Sequence, residues 1–351
     1  MADFASSTHR HHWILPRQKL VEKGRAANER ARDALRKYGA TRIEVQSDGS
    51  LAYPGISEEG ENGAADKGPL PEPLSLEEEL LVQKYYERKI QEVCAAFSFP
   101  NKIQATAIFY FKRFYLNWSV MEHDPKHIML TCIYLSCKVE EFHVSAEELG
   151  KGIQQDPQVL LKNEMTVLQG LDFELIVYTP YRALDGYAFD LTNSARRMGV
   201  TSLNHIQELR DAARFEVDAM MLTNAPLLFT PGQLAMAALR KANREERKVD
   251  LERYMKGLSE SLALEHSYSE LASALDAIDA VVMDNKQTAE AEVKRIDRKL
   301  KICRNPGLQD ENKKRERKGK HKQRRGQALP TGQDVSSTDM DQNHGVKRKA
   351  Q

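Results

Sequence analysis

The sequence predicts an all-α protein made of two successive units of five helices, with a further helix on each side of them. Apolar residues recur with the 3.6-residue period of amphipathic helices along most of the chain. Serine, threonine and proline stand where several of these helical segments would begin. Neither unit contains a convincing strand pattern, so the outline is that of a tandem all-α repeat.

The composition is that of a soluble globular protein with charged segments. The 351 residues are 41% apolar and 29% charged, which allows about two domains plus tails. The net charge of +1 conceals a basic run at 313–325 and a mainly acidic stretch at 58–79. No run of about 18 apolar residues and no apolar leader occurs, so we expect neither a membrane helix nor a signal peptide. The four cysteines form no C-x-x-C pair and are expected to be small buried hydrophobes in a reducing compartment.

Residues 1–75 are predicted to form an arm, a helix and a flexible insertion. The arm is expected to dock on the fold around Trp13. Adventitious metal binding by its histidines is the alternative: His9, His11 and His12. A charged helix with a thin apolar line is predicted at 17–38. The segment 39–73 is rich in Gly, Pro, Ser and acidic residues, which is typical of a flexible insertion.

The first five-helix unit is predicted to span 76–176. Ser-x-x-Glu capping boxes at 75–78 and 145–148 mark the starts of its first and fourth helices. The third helix is expected to begin near Pro125, a favoured first-turn residue. Apolar stripes identify the other helices: Tyr86, Ile90, Val93 and Phe97 in the first, Ile103, Ala107, Phe111 and Phe114 in the second, Ile128, Cys132, Leu135 and Val139 in the third, and Leu160, Val167, Leu168 and Leu171 in the fifth.

The second unit is predicted to span 177–285 and opens with a Thr-Pro pair, which favours a helix start. Its helices are expected at 180–192, 203–223, 231–243, roughly 250–256 and 267–285. The helix at 231–243 carries small apolar residues suited to a central, tightly packed position. A charged helix is predicted at 286–304, and the basic, breaker-rich tail at 305–351 is expected to be disordered.

The chain contains no phosphate-binding loop and no hydrolase or metalloprotease motif. His123 and His127 are four residues apart, but a proline between them opens a helix, so they are predicted to be loop and first-turn residues. Glu140 and Glu141 are adjacent and would point about 100° apart on a helix, which excludes a catalytic carboxylate pair. The aromatic residues of 109–115 predict core packing, with a base-stacking platform as the alternative. We therefore expect no enzyme activity, no cofactor and no metal.

Two residues of opposite charge are the candidate site. Lys138 lies on the flank of the apolar third helix, and Glu164 occupies a core-like position of the fifth. A glutamate on an apolar helix face is costly unless it is paired, and Lys138 would supply the partner. Opposite charges beside an apolar surface fit a site for another protein's backbone. A plain salt bridge that braces two helices is the alternative.

The segment YFKRFYLNWSVMEHDPKHIMLTCIYLSCKVEEF, residues 110–142, closely resembles the cyclin box. The phrases that match are YFKRFYL, SVME, IMLTC and CKVEEF, together with VYTPYR and FTPGQLA in the second unit. Arg-His-His-Trp near the amino terminus matches as well. The resemblance covers about residues 10–36 and 76–303 and is greatest with the H-type branch of the cyclin family.

This resemblance implies two five-helix cyclin folds with flanking helices, in a non-catalytic regulatory subunit of the nucleus. H-type cyclins bind and activate the cyclin-dependent kinase of the CDK-activating kinase, together with a RING-finger assembly factor. That trimer belongs to TFIIH, in which it phosphorylates the carboxy-terminal repeats of RNA polymerase II. Lys138 and Glu164 match the family's kinase-contacting lysine and its partner glutamate, which implies a kinase-binding role for both.

Two features of the family are missing from this sequence. Mitotic cyclins carry an exposed M-R-x-I-L patch that recruits Arg-x-Leu substrates, whereas the corresponding region at 82–89 reads VQKYYERK. The aspartate that most cyclins have before Arg113 is Lys112. We therefore do not expect this kind of substrate recruitment, and that aspartate's contact does not carry over.

The basic tail, with KKRERKGKHKQRR and VKRK, is predicted to be a nuclear localisation signal. A non-specific nucleic-acid contact and a merely solubilising tail are its alternatives. For the whole chain, the alternatives are a transcriptional cyclin of the C, K or T type and a TFIIB-like DNA-binding protein with cyclin folds.

Overall fold

Helices account for nearly all of the part of the chain that the computed structural model describes, which is residues 3–45, 51–53, 70–197, 204–246, 249–261, 268–284 and 289–305. Contacts divide the chain into Met1–Pro306 and Gly307–Gln351, and the second part lies wholly outside the described residues. The predicted disorder of the basic tail therefore falls outside what the structure describes. Among the described helices, none is long and apolar enough to cross a membrane.

The amino-terminal region contains a 3₁₀ turn at Phe4–Ser6 and two helices, α1 at Thr8–Trp13 and α2 at Arg17–Tyr38. Helix α2 packs against the second helix of the first unit, and most of its buried residues are small, Ala27 and Ala31 among them. Both alanines are buried, so this charged helix lies close to the core. Its limits agree with the prediction of a helix at 17–38.

The first unit contains five helices: α3 at Leu76–Ala96, α4 at Asn101–Asn117, α5 at Pro125–Val139, α6 at Ala146–Ile153 and α7 at Pro157–Gly170. Helix α4 lies at the centre, because it packs against α2, α3, α5 and α7. All of its residues from Ala105 to Leu116 are buried, so the aromatic cluster of this segment forms core. Both predicted capping boxes, at Ser75 and Ser145, are present.

The second unit contains α8 at Pro180–Arg197, α9 at Asn204–Met221, a short α10 at Ala225–Leu228, α11 at Pro231–Glu246, α12 at Leu251–Ser261 and α13 at Tyr268–Met283. Helix α11 packs against α8, α9 and α13, and its residues Leu234 to Leu239 are almost fully buried, as predicted for a central helix. Helix α10 was not predicted because four residues are too few to show a period. The all-α prediction with two successive helical units is confirmed, and the second unit contains α10 in addition to the five predicted helices.

Helix α14, Glu290–Arg304, packs on α3 of the first unit. Lys299 Nζ lies 2.8 Å from Glu78 Oε2, and Arg304 pairs with Asp124 at the start of α5. Val293 of α14 and Val82 of α3 line the same cavity, in the region where mitotic cyclins carry their recruitment patch. This region of α3 is therefore in contact with another helix of the same chain.

Part of the predicted insertion at 39–73 is held on the first unit. Strands β1 at Glu44–Val45 and β2 at Leu51–Ala52 pair antiparallel, and the Thr41 hydroxyl donates to the Met121 carbonyl at 2.8 Å. The Tyr53 hydroxyl donates to Glu122 Oε1 at 3.1 Å. These contacts between distant segments gave no sequence signal. Residues 46–50 and 54–69 of the predicted flexible segment lie outside the described residues.

The four cysteines are free thiols, and all are buried. Burial raises the pKa of Cys137 and of Cys303 to about 11, so both thiols stay protonated at neutral pH. All four cysteines are therefore small buried hydrophobic residues, as the sequence predicted.

Candidate protein-docking site

Lys138 and Glu164 form an ion pair between α5 and α7. The pair lies at the surface, because the Lys138 side chain is 48% exposed and that of Glu164 is 20% exposed. Glu164 is therefore half-buried and does not lie in the core. The Lys138 ammonium carries three N–H donors, and its exposure leaves donors available to an incoming protein. An exposed pair contributes only about 0–1 kcal/mol to stability, so bracing of the two helices is a weak reason for its presence.

The local sequence positions both charges. Asp124 caps α5 by accepting the backbone N–H of Lys126 at 2.9 Å, and Pro125 occupies the first turn. Lys138 then falls in the last turn, where a positive charge is favoured by the helix dipole. An Asp-Pro start at 156–157 sets the register of α7 and places Glu164 in its middle.

Tyr134 is the residue one turn before Lys138 on α5. Its ring centroid lies 5.3 Å from Lys138 Nζ, within the range of a cation–π interaction. The ammonium therefore has the Glu164 carboxylate and an aromatic face as neighbours. Tyr134 was not among the predicted site residues, although the i, i+4 spacing of tyrosine and lysine is visible in the sequence.

Helix α7 carries two apolar stripes. Leu160 and Val167 are buried and form its inward face, which continues to Leu171. Leu161 and Met165, one turn apart, are 40% and 55% exposed and lie on either side of Glu164 in sequence. A helix needs one apolar stripe to pack against a protein core. The second stripe of α7, which is exposed, has no partner within the described structure.

Exposed apolar residues continue beyond the ends of α5 and α7. Phe142 follows α5 and packs edge-on against Phe99, at a ring-centroid distance of 5.5 Å. Phe173 and Ile176 follow α7 and are 60% and 58% exposed. We call these residues, with Leu161 and Met165, the docking surface: they are the large exposed apolar residues on or next to α5 and α7, the packed helices that carry Lys138 and Glu164. Exposed apolar side chains concentrated on neighbouring elements mark interaction sites.

The segment after α7 is fixed from beneath by α4. The Tyr110 hydroxyl donates to the Leu175 carbonyl at 2.6 Å, and Arg113 Nη1 donates to the Glu174 carbonyl at 3.2 Å. Burial lowers the pKa of Arg113 to about 9, which still leaves the guanidinium charged at neutral pH. The residues predicted to be core therefore also hold the connection between the two units.

Three of the other charged and polar candidates are accounted for by their place within the fold. Glu140 accepts the Thr106 hydroxyl at 2.8 Å. His123 is buried, and burial with the nearby Arg304 charge lowers its pKa to about 3. His9 is also buried, and its Nδ1 accepts the backbone N–H of Tyr178 at 3.0 Å. Within the described residues, no group of three or more His, Cys, Asp or Glu side chains could hold a metal ion.

Lys112, which replaces the family's aspartate, has its own partner. Its Nζ lies 2.7 Å from Glu87 Oε2, and both side chains are almost completely buried. Burial lowers the pKa of Lys112 and raises the pKa of Glu87, and each charge partly offsets the effect on the other. The position therefore takes part in an ion pair inside the first unit and is not at the docking surface.

Both units match families of known proteins. Residues 82–176 match the family described as the cyclin N-terminal domain, and residues 179–283 match the cyclin C-terminal domain. Cyclin-H1-1 of Arabidopsis thaliana is 50% identical over 317 residues, which cover 90% of this chain and 93% of that protein. Cyclin-H of Xenopus laevis is 34% identical over 270 residues, which cover 73% and 81%.

A solved structure supports the same fold. A chain in the structure of the CAK complex from Chaetomium thermophilum bound to ATP-gamma-S superposes with a TM-score of 0.69 at 22% identity, covering 95% of this chain and 98% of that one. Two tandem cyclin folds with a charged pair on the first define a protein of the cyclin class. The chain belongs to the cyclin family, and within it to the cyclin H branch.

Proposed function

We propose that this chain is the non-catalytic regulatory subunit of a CDK-activating kinase, and that it binds and activates a cyclin-dependent kinase. Its cyclin H relatives support this role, as does its likeness in fold to a chain of a CAK complex. The observation that carries the proposal is the half-exposed Lys138–Glu164 pair beside the second apolar stripe of α7.

The geometry suits a two-part contact with the kinase. Lys138, held by Glu164, donates to backbone carbonyls in the loop before the kinase's αC helix. Leu161 and Met165 pack against αC itself, and this contact removes apolar surface from water. Binding of this kind favours the kinase conformation in which its active-site Lys–Glu ion pair forms. The chain supplies no reacting group in this mechanism.

The wider assembly follows from the same proposal. We infer that a RING-finger assembly factor completes the trimer, that the trimer works within TFIIH in the nucleus, and that it phosphorylates the carboxy-terminal repeats of RNA polymerase II. The basic run at 313–325 supports nuclear import. A nucleic-acid contact by this tail would be secondary. Clustered positive charges bind any nucleic acid non-specifically, so such a contact would not select a particular partner.

The test is reconstitution from purified components. The kinase is assayed alone, with this chain, and with an equal amount of an unrelated two-repeat cyclin-fold protein, using a carboxy-terminal repeat peptide as substrate. We expect a stable one-to-one complex and phosphorylation well above the level of the kinase alone only with this chain. No complex and no rise in activity would overturn the proposal.

A further inference from the structure

Glu174 connects the amino-terminal arm to the docking surface. One of its carboxylate oxygens accepts the Trp13 indole N–H, and the other lies 2.5 Å from His12 Nδ1. Glu174 is the residue after Phe173 and lies two before Ile176, the two exposed apolar residues that follow α7. The arm therefore contacts the chain at a position between Phe173 and Ile176, two residues of the docking surface.

The segment 172–178 has no regular structure of its own, so its position depends on side chains from elsewhere. Asp172 and Phe173 have φ values of 53° and 57°, in the left-handed region that non-glycine residues seldom adopt. A second arm contact lies at the other end of the segment, where His9 Nδ1 accepts the Tyr178 N–H. Glu174 and Tyr178 of the segment are thus held by residues 162 and 169 positions earlier in the chain.

The arm itself is firmly seated. Trp13 is 4% exposed, and its ring lies over the Arg113 guanidinium at 4.7 Å. Arg113 in turn donates to the Glu174 carbonyl. His9 packs edge-on against Phe109 with ring centroids 4.9 Å apart. Trp13 therefore contacts the segment both directly and through Arg113.

We propose that the arm positions the segment 172–178 for the partner kinase, with Trp13 and Glu174 as the positioning residues. This inference rests on the proposed function. Trp13 and Glu174 are largely buried, and the proposed role requires no contact between them and the kinase. They act by holding Phe173 and Ile176 where the apolar surface of α7 continues, and an ordered surface binds with less loss of conformational freedom.

The experiment uses the full chain and the purified kinase. Trp13→Phe removes the indole N–H donor and keeps an aromatic ring over Arg113. Glu174→Gln removes the negative charge of the carboxylate that accepts this N–H. Because a hydrogen bond to a charged group is lost, we expect each variant to bind the kinase about fivefold to tenfold more weakly. Trp118→Phe is the matched control, since Trp118 is the other tryptophan of the chain and packs on Arg30.

A double-mutant cycle separates positioning from general stability. In a Phe173→Ala, Ile176→Ala background, Trp13→Phe should change affinity by about twofold or less, because the residues that it positions are gone. Hydrogen exchange of the amides of 172–178 should rise in Trp13→Phe, while that of α11 stays unchanged.

The inference is overturned if Trp13→Phe binds as the parent chain does, or if its effect is the same in both backgrounds. A Lys138→Ala, Glu164→Ala chain that binds the kinase normally would instead reject the kinase site of the proposed function. The two failures are therefore distinguishable.

Discussion

Tyr134 and Lys138 lie one turn apart on α5, and the tyrosine ring centroid is 5.3 Å from the lysine ammonium. The ring and the Glu164 carboxylate together restrict where an otherwise mobile side chain places its charge. A long lysine loses rotamer entropy when it is held by a partner, so a side chain that is already held in the free protein binds at a lower entropic cost.

Removing the ring is therefore expected to weaken kinase binding. Tyr134→Leu should lower affinity about fivefold, in line with a cation–π contribution of about 1 kcal/mol, and Tyr134→Phe should bind nearly as the parent does. Titration calorimetry with the purified kinase measures both. Equal losses in the two variants would show that the hydroxyl matters and not the ring.

The exposed stripe of α7 gives a second prediction. Leu161→Ser with Met165→Ser should lower kinase affinity at least about tenfold, because apolar area that would be buried at the interface is lost. Unfolding in urea should be almost unchanged, since both side chains are exposed in the free chain. Phe215→Ser, at a position 75% exposed in the second unit, is the control and should bind normally. Equal weakening in the control would mean that the stripe is not specific.

The buried Lys112–Glu87 pair predicts a non-additive effect on stability. Lys112→Met leaves the Glu87 carboxylate buried without its partner and should lower the free energy of unfolding by about 3–5 kcal/mol. Adding Glu87→Leu should restore most of that loss, because an apolar pair of similar volume fills the same space. Urea unfolding of the two variants tests this, and a double variant as unstable as Lys112→Met would contradict it.

Glu79 predicts a dependence of stability on pH. Burial, reinforced by the nearby Glu122 charge, raises the pKa of Glu79 from 4.5 to about 7, although Ser119 and Asn28 donate to its carboxylate. Between pH 4.5 and about 7, Glu79 therefore keeps its proton in the folded chain and has lost it in the unfolded chain. This contribution to stability is fully present below pH 4.5 and is lost as the pH rises through about 7.

Glu79→Gln keeps an acceptor for Ser119 and Asn28 and carries no charge. At pH 8 it should be more stable than the parent by about 2 kcal/mol, and the difference should shrink towards pH 4.5. Urea unfolding across this range provides the measurement, with Glu77→Gln on the exposed side of the same turn as the control. A difference between Glu79→Gln and the parent that does not vary with pH would rule out the ionisation of Glu79 as its source.

Features that depend on neighbouring residues were predictable from the sequence. The capping boxes at Ser75 and Ser145 and the proline at position 125 set helix starts to within a residue, because caps are local interactions. One contact between different helices was also expected, that of Lys138 with Glu164, since an apolar helix face makes an unpaired glutamate costly.

Other contacts between distant residues were not predictable. Trp13 and Glu174 are separated by 161 positions, and nothing in either local sequence indicates that they meet. The partner of Lys112 was equally hidden, because Glu87 lies on a different helix in a pattern that looks solvent-exposed. Glu164 is also more exposed than the core-like position predicted from the sequence. Its exposure depends on how closely α5 and α7 pack, which the local sequence does not reveal.

The kinase-docking role of Lys138 and Glu164 is tested most directly by exchanging their charges. Lys138→Ala with Glu164→Ala should lower kinase affinity about 30-fold, or about 2 kcal/mol, and should abolish activation. Lys138→Glu with Glu164→Lys restores an ion pair between α5 and α7 but presents the opposite charge to the kinase. We predict that the exchanged chain folds normally and fails to activate. Full activation by the exchanged chain would show that the pair only braces the two helices and would contradict the proposed site.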